Sequence, residues 1–409
     1  MQKYESEITI VGGGPVGLAA ACALADCGLK VLMVDAGKRS GKANDLKVDM
    51  EKPEFDLRVS ALTVSTRNLL ERFGVWDEIE RMRLCPYEHM TVWDGESTGA
   101  INFSADELHE PALGYIVENR VLSAALAQQV VARSAITVLE DCAVERVTKD
   151  DKDLVNLSLS NGASVDTALL IGADGSHSFI RKESGFSTRE WEYGQEAVIT
   201  TVKTEYPHEF TAWQRFMNSG PLAFLPLFLP GLDDENQCYS SIVWSCFTEK
   251  AEGIKALDDK EFKKALGAAF EFRLGEIQEV DKRFSFSLWQ RHATDYVQDG
   301  TALIGDAAHT IHPLAGQGVN LGFGDVEALS GVISAAVKKG EDYRSKQVLS
   351  RYQRHRKSQN LGMMAAMESF KRLFGSEELT LMWLRNTGLN LANSLPLLKE
   401  QLMRKAMGI

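Results

Sequence analysis

Apolar runs that alternate with helical stretches in the first 74 residues predict the start of a parallel α/β sheet. Ile8–Val11 is a short β-branched run that predicts a strand, and Leu29–Val34 predicts a second strand. The alanine-rich stretch between them, which extends to Cys27, predicts a helix. Leu57–Leu62 then leads into a helix that ends at about Phe73. Strands that alternate with helices in this way are typical of a parallel sheet covered by helices.

The segments between residues 90 and 171 predict further strands around one helix. Met90–Asp94 and Ala100–Phe103 predict strands, and Arg120–Ala132 predicts a helix. Leu154–Ile171 predicts a β-hairpin, and the Asn-Gly pair at 161–162 favours a type I′ turn.

The region from 195 to 246 predicts a second, antiparallel sheet, which we expect to form a substrate domain. Its strands are predicted at Ala197–Lys203, Trp213–Met217, Leu222–Leu227 and Tyr239–Cys246. Ala302–Asp306 then returns to a buried strand of the parallel type, and the chain is mainly helical from Gly318 onwards. The first sheet is therefore expected to be interrupted and resumed, which indicates a composite architecture.

Three glycines follow the first predicted strand with the spacing Gly-x-Gly-x-x-Gly. Gly12 permits a tight turn, Gly14 lets the backbone approach a pyrophosphate, and Gly17 lets the helix pack close to the strand. The helix N-terminus offers N–H groups and a partial positive charge to the phosphates. Asp35, at the end of the second strand, can accept hydrogen bonds from ribose hydroxyls. This order of strand, turn, helix, strand and acid predicts a dinucleotide site.

Two later predicted strands also end in acidic motifs. One ends in Asp174-Gly175 and is followed by a helix that carries Arg181. The other ends in Asp306, and a Pro-Leu-Ala-Gly-Gln-Gly loop at 313–318 then opens a helix. Carboxylates at the carboxyl ends of parallel strands emerge at the sheet edge where ligands bind. The N–H groups of the loop would face an anion, which fits the negative charge of a reduced flavin ring.

Composition narrows the possible functions. The chain has 409 residues, 44% hydrophobic and 25% charged, as expected for a soluble protein with two domains or one large composite domain. Its net charge of −12 argues against nucleic-acid partners, which require a basic surface. Six scattered cysteines indicate free thiols in a reducing cytoplasm. No membrane span is expected. The polar stretch Lys38–Phe55 is predicted to form an exposed segment after the second strand.

Together and in this order, the three motifs resemble those of the para-hydroxybenzoate-hydroxylase-like flavoprotein monooxygenases, over nearly the whole chain. The resemblance implies non-covalent FAD and an α/β fold, with a Rossmann-type FAD-binding domain, an inserted antiparallel-sheet substrate domain and C-terminal helices. It implies that Asp306 binds the ribityl chain, that Arg58 contacts the phosphate region and that residues 313–320 flank the isoalloxazine. Many relatives have Arg where this chain has Asn119, a change for which Arg120 could compensate. The implied cofactor residues are Gly12, Gly14, Gly17, Asp35, Arg58, Asn119, Asp174, Gly175, Asp306, Pro313, Gly316, Gly318, Val319 and Asn320.

Four segments narrow the resemblance to the ubiquinone-biosynthesis hydroxylases. These segments are 58–62, 113–119, 224–227 and 309–322. The narrower resemblance implies hydroxylation of a polyprenylated phenol with NAD(P)H and O2, through a C4a-hydroperoxide of the flavin. The branch that acts at ring C5 is most similar in Ser241–Ser245 and in the ending Gln401–Ile409. The segment Tyr87–Trp93 also resembles the C6 branch.

The resemblance also divides the chain between domains that are built from separate segments. The FAD-binding domain is assigned to 1–75, 106–185 and 286–340, the substrate domain to strands at 76–105 and an antiparallel sheet at 186–285, and the C-terminal helices to 341–409. We expect a cytoplasmic protein, peripheral at the inner membrane or joined to a ubiquinone-biosynthesis complex, because the implied substrate is a lipid. Apolar and basic residues in Leu379–Ile409 suit an interfacial helix, and helices packed on the FAD-binding domain are the alternative.

Other functions stay open on the sequence alone. They are hydroxylation at ring C6 or elsewhere in the ubiquinone pathway, a flavin monooxygenase for a soluble aromatic compound, and a redox-inert protein of the same fold that binds prenyl chains or acts as a scaffold. For His309 and His312 we expect structural roles, with imidazoles bonded to the backbone, and no metal site. Trp93, Trp213 and Trp244 are predicted to lie in the core rather than in a substrate wall.

Overall fold

The computed structural model describes residues 2–38, 54–150, 154–310, 318–374, 391 and 393–409. The polar stretch Lys38–Phe55 lies mostly outside these residues. The described helices are α1 (Pro15–Asp26), α2 (Val64–Arg72), α3 (Trp76–Met82), α4 (Asn119–Ala132), α5 (Phe179–Glu183), α6 (Thr248–Ala256), α7 (Asp259–Ala269), α8 (Gly318–Lys339), α9 (Lys346–Phe374) and α10 (Pro396–Met407). The described strands are β1 (Lys3–Val11), β2 (Val31–Val34), β3 (Val59–Leu62), β4 (Cys85–Tyr87), β5 (His89–Asp94), β6 (Ala100–Ser104), β7 (Gly114–Glu118), β8 (Ile136–Leu139), β9 (Val144–Lys149), β10 (Val155–Leu159), β11 (Ser164–Gly172), β12 (Thr188–Thr204), β13 (Thr211–Met217), β14 (Gly220–Leu227), β15 (Tyr239–Phe247), β16 (Ile277–Val280), β17 (Phe284–Ala293), β18 (Val297–Gln298), β19 (Thr301–Leu303) and β20 (His309–Thr310).

The first sheet brings the three sequence motifs to one edge. Its order is β18-β19-β11-β1-β2-β8, and the neighbours from β19 to β8 run parallel. Ile8 and Ile10 of the central strand β1 are fully buried, and α4 and α8 pack against α1. Because parallel strands end at the same edge, the loops after β1, β11 and β19 are neighbours. These loops carry the glycine turn, the Asp174 motif and the Asp306 motif.

The second sheet supplies a long face opposite that edge. Its order is β20-β17-β12-β15-β14-β13-β5-β6, and β16 pairs with β12. Most pairs are antiparallel, as expected, but β13 runs parallel to β5. This pair departs from the expected pattern because β5 enters the sheet from a segment more than a hundred residues earlier. As predicted, Trp93 and Trp244 are buried in the core of this sheet, and Trp213 packs against it.

The hairpin between β10 and β11 forms as predicted, but its turn is not of type I′. A type I′ turn needs a positive φ at both central residues, and Gly162 has a φ of +80° while Asn161 does not have a positive φ. The Asn161 side chain instead accepts a hydrogen bond of 3.0 Å from the N–H of Ala163. This Asx-type bond stabilises a longer loop, which is closed by the N–H of Leu159 bonded to the carbonyl of Ala163 at 2.9 Å.

Candidate functional site

A cavity of about 560 Å³ lies between the motif-bearing edge of the first sheet and one face of the second sheet. The second sheet contributes an apolar wall that includes Ile199 of β12, Val243 of β15 and Phe286 and Leu288 of β17. The opposite wall contains seven of the fourteen residues implied for the cofactor. They are Gly14, Arg58, Asn119, Gly175, Asp306, Gly318 and Val319.

The three glycines of the first motif have different surroundings. Gly12 has a φ of +108°, and a Cβ there would overlap the carbonyl of Ala173. A Cβ on Gly17 would overlap the carbonyl of Gly12. Nothing lies within 4 Å of a Cβ built on Gly14, which lines the cavity. Gly12 and Gly17 therefore allow the close turn from strand to helix, whereas Gly14 leaves space for a ligand at the N-terminus of α1.

Alanine substitutions should separate these two uses of glycine. We expect Gly17→Ala to lower the free energy of unfolding by about 1–3 kcal/mol, because its methyl group is forced into a packed turn. Gly14→Ala should leave that free energy nearly unchanged and weaken FAD binding, because its methyl group points into the cavity. Urea unfolding of the flavin-free proteins and fluorescence titration with FAD measure the two effects. Equal destabilisation by both substitutions would contradict this assignment.

Asp306 presents its carboxylate to the cavity from the turn after β19. The side chain is exposed to the cavity. Desolvation by the surrounding protein raises the pKa of Asp306 above its ordinary value, while the charges of His309 and Arg58 oppose the shift. The guanidinium carbon of Arg58 lies 5.6 Å from the centroid of the Phe286 ring. A carboxylate acceptor and a cation therefore face the same space.

The second motif is built into the protein through its charged side chains. Asp174 accepts a hydrogen bond of 3.0 Å from the N–H of Ile180 and so caps the start of α5. The buried Arg181 donates to the carbonyl of Ser176 and to the carbonyl of Ala307, each at 2.9 Å. Arg181 thereby joins the second motif loop to the third. This geometry gives both side chains a positioning role beside the cavity.

Asn119 and Asn320 hold the starts of two helices against β3 and α2. The Asn119 Oδ1 accepts a hydrogen bond of 2.6 Å from the Ser60 hydroxyl. The Asn320 Nδ2 donates to the carbonyl of Ala61 at 2.7 Å, and its Oδ1 accepts from the Thr66 hydroxyl at 2.8 Å. These bonds fix the start of α8 against β3 and α2, and the cofactor contact given to Asn320 stays a prediction.

Of three further cofactor residues implied by the sequence, one is described and does not line the cavity. This residue, Asp35, directly follows β2, is partly exposed, and accepts a hydrogen bond of 3.2 Å from the N–H of Gly37. Pro313 and Gly316 lie outside the described residues, as does His312. The roles given to these residues stay predictions.

A buried ion-pair network behind the third motif was not foreseen from the sequence. Asp325 of α8 is fully buried and accepts hydrogen bonds from the N–H of Gly305 at 2.9 Å and from the Arg356 Nε at 2.8 Å. Its Oδ2 also lies 2.6 Å from the His309 Nε2. Burial alone would raise the pKa of Asp325, but His309 and Arg356 together hold that pKa below its ordinary value. His309 therefore has a structural role through a carboxylate partner, where a backbone partner was expected.

The sequence did contain a signal for this network. Asp325 follows Gly-Phe-Gly and precedes Val326 in a predicted helix, which puts an acid among apolar neighbours. A buried acid requires charged or polar partners, so its position indicated a paired group.

The cavity has the features that a flavin dinucleotide requires. Its volume of about 560 Å³ falls within the range of ligand pockets. Gly14 leaves space at a helix N-terminus, where phosphates bind, and Asp306 offers an acceptor for hydroxyl groups. The apolar face of the second sheet suits an aromatic ring system.

Known proteins share both this sequence and this fold. The model of the FAD binding domain family matches residues 5–366. The 3-demethoxyubiquinol 3-hydroxylase of Escherichia coli (strain K12) is 37% identical over the full length of both chains. The mitochondrial ubiquinone biosynthesis monooxygenase COQ6 of Danio rerio is 36% identical, over 97% of this chain and 88% of its own. The crystal structure of p-nitrophenol 4-monooxygenase PnpA from Pseudomonas putida shares the fold, with a TM-score of 0.77 at 19% identity over 100% of this chain and 99% of that one.

Proposed function

This chain belongs to the FAD-binding monooxygenase family that includes the ubiquinone hydroxylases, and from this membership we propose that it hydroxylates the ring of a polyprenylated phenol in ubiquinone biosynthesis. FAD is the cofactor. NAD(P)H supplies two electrons and O2 supplies both oxygen atoms, one of which enters the ring as a hydroxyl group while the other leaves as water. Position C5 of the ring is the favoured site.

The apolar sheet face opposite the three motif loops is the observation that carries this proposal. Bound FAD would accept electrons from NAD(P)H and supply activated oxygen to the substrate. The residues of the chain would bind and orient the reactants: Gly14 and the N-terminus of α1 would hold the phosphates, and Asp306 would hold the ribityl hydroxyls. Ile199 and Phe286 would cover the reacting rings and exclude water, which keeps the activated oxygen for the substrate.

A second ring position is favoured by one specific relative. The Escherichia coli protein that matches this chain over its full length is named as a 3-demethoxyubiquinol 3-hydroxylase. We therefore keep hydroxylation of a demethoxyubiquinol as the second candidate. Both candidates use the same cavity and differ in which carbon of the phenol faces the cofactor.

Deletion of the gene, followed by mass spectrometry of the accumulated quinone precursors, tests the proposal and distinguishes the positions. A precursor that lacks one ring hydroxyl, restored by the intact gene, is the expected result, and its structure identifies the carbon. The purified protein should be yellow and should oxidise NADH or NADPH when the phenol and O2 are present. An unchanged quinone profile, or a colourless protein that binds prenyl lipids without oxidising NAD(P)H, would overturn the proposal.

Contact with a membrane follows as part of the proposal because the substrate is a lipid. Within the described ranges, no helix is long and apolar enough to cross a bilayer. Helix α10 packs Met403 and Met407 against the buried residues Val64 and Leu108. This helix and its flanking residues also expose several apolar side chains, which together we call the C-terminal patch. The exposed residues of this patch are Leu391, Leu395, Leu397, Leu402 and Ile409.

Point substitutions test this contact better than truncation, which would remove Met403 and Met407 from the core. We expect the double variant Leu397→Gln and Leu402→Gln to sediment less with vesicles of phosphatidylethanolamine and phosphatidylglycerol, because apolar area drives interfacial binding. Val131→Gln is the control, since Val131 is 83% exposed outside the patch. Equal sedimentation of both variants with the vesicles would contradict the contact.

A further inference from the structure

A second cavity continues the site along the same face of the second sheet. It has a volume of about 790 Å³, and its walls include Phe55, Thr201, Tyr239 and Phe284. Leu57 lines both this cavity and the one described above. The two spaces therefore abut at Leu57.

The register of strands β12 and β15 makes the surface continuous. Ile199 pairs with Val243, Thr201 with Ser241, and Lys203 with Tyr239, and paired residues point to the same face. Ile199, Val243 and Ser241 line the first cavity, whereas Thr201, Lys203 and Tyr239 line the second. The boundary thus passes between the directly opposed residues Thr201 and Ser241. From Val243 to Tyr239 the face extends by about 13 Å, at 3.3 Å for each residue.

The residues of strand β17 also pass from the first cavity to the second. Phe286 lines the first cavity, and Phe284, two residues away on the same face, lines the second. Phe284 is 44% exposed, a large fraction for a phenylalanine on a sheet. Its ring therefore offers apolar surface at the outer end of this path.

The second cavity, which we call the outer groove, has an apolar floor and a charged rim. Phe55 and Tyr239 form an aromatic pair with ring centroids 5.4 Å apart. At the rim, the Lys203 Nζ lies 3.3 Å from the Glu279 carboxylate, and Asp281 and Lys282 are exposed. Such a groove suits an uncharged, elongated and apolar ligand that leaves the site towards solvent or lipid.

We propose that this groove binds the isoprenoid tail of the phenol whose ring lies in the first cavity. The inference rests on the proposed function, because only a substrate with a long tail requires such an exit. The ring and FAD share a cavity of about 560 Å³, so a tail of several isoprene units must continue outside it. Leu57, Phe284 and Tyr239 provide the apolar surface along its path.

Substitution of Phe284 with a charged residue tests the groove in the FAD-loaded enzyme. We expect Phe284→Glu to raise KM for a long-tailed phenol roughly tenfold, the effect of losing about two buried methylene contacts. KM for the same phenol with a methyl group in place of the tail should not change, and kcat should change for neither. Phe247→Glu is the matched control, since Phe247 is 51% exposed on β15 but lines neither cavity. An equal change in KM for both phenols, or no change for either, would contradict the binding of the tail in this groove.

A photolabelling measurement gives an independent answer. A phenol whose tail carries a diazirine in the part that spans the groove should label residues 279–284 of the wild-type protein, and unlabelled long-tailed phenol should compete. Labelling only outside the groove would overturn the inference. Failure of the wild-type enzyme to hydroxylate either phenol would overturn the proposed function instead. The position of the label would then still test whether the groove binds the tail.

Discussion

Replacement of Asp306 by alanine is expected to weaken FAD binding by a factor of about 10 to 150 for each hydroxyl bond lost, since a charge-assisted hydrogen bond contributes about 1.5–3 kcal/mol. Asp306 is exposed to the cavity, and desolvation by the surrounding protein raises the pKa of its carboxyl group. A carboxylate that is exposed to the cavity can accept charge-assisted hydrogen bonds from the hydroxyl groups of a ligand. Titration of the flavin-free protein with FAD, followed by flavin fluorescence, measures the change.

The conservative variant Asp306→Asn serves as the control for this prediction. It keeps the shape and one acceptor oxygen but loses the charge, so its affinity for FAD should fall between those of the wild type and the alanine variant. The free energy of unfolding of the flavin-free proteins should be similar in all three. Unchanged FAD occupancy in the alanine variant would show that Asp306 does not bind the ribityl chain.

The motif-bearing edge of the first sheet could be predicted because its signals are local. A glycine spacing directly after an apolar run identifies a strand and the turn that follows it, as at Gly12 and Gly17. An acid at the end of a buried run, as at Asp306, identifies a carboxyl end of the sheet. The parallel topology then makes these ends neighbours, although the first and third motifs are almost 300 residues apart.

Features that depend on distant partners could not be predicted in the same way. The pairing of β13 with β5 joins segments far apart in the chain, and alternation within each strand gives no information about its neighbour. The side chain of Asn320 bonds to Ala61 and Thr66, which lie more than 250 residues earlier in the chain. Such partners are fixed by tertiary packing and not by the local sequence.

Removal of the Asp325 carboxylate is expected to have the largest effect on stability. Asp325→Ala leaves the Arg356 guanidinium, the His309 imidazole and the Gly305 N–H without their buried acceptor. Breaking a buried ion pair by removing one partner costs about 3–5 kcal/mol of unfolding free energy. FAD affinity should fall as well, because the Gly305 N–H bond fixes the turn that presents Asp306.

Asp342→Ala is the matched control for Asp325→Ala. Asp342 pairs with Arg344 at 2.9 Å, but its side chain is 51% exposed, so its loss should cost about 0–1 kcal/mol. Urea unfolding of the flavin-free proteins measures both effects. The unfolding free energy of Asp325→Asn should fall between those of the wild type and Asp325→Ala, because the asparagine keeps the shape without the charge. An unfolding free energy of Asp325→Ala equal to that of Asp342→Ala would mean that the network does not stabilise the fold. The contrast between a buried and an exposed carboxylate thus measures how firmly α8 and α9 hold the third motif in place.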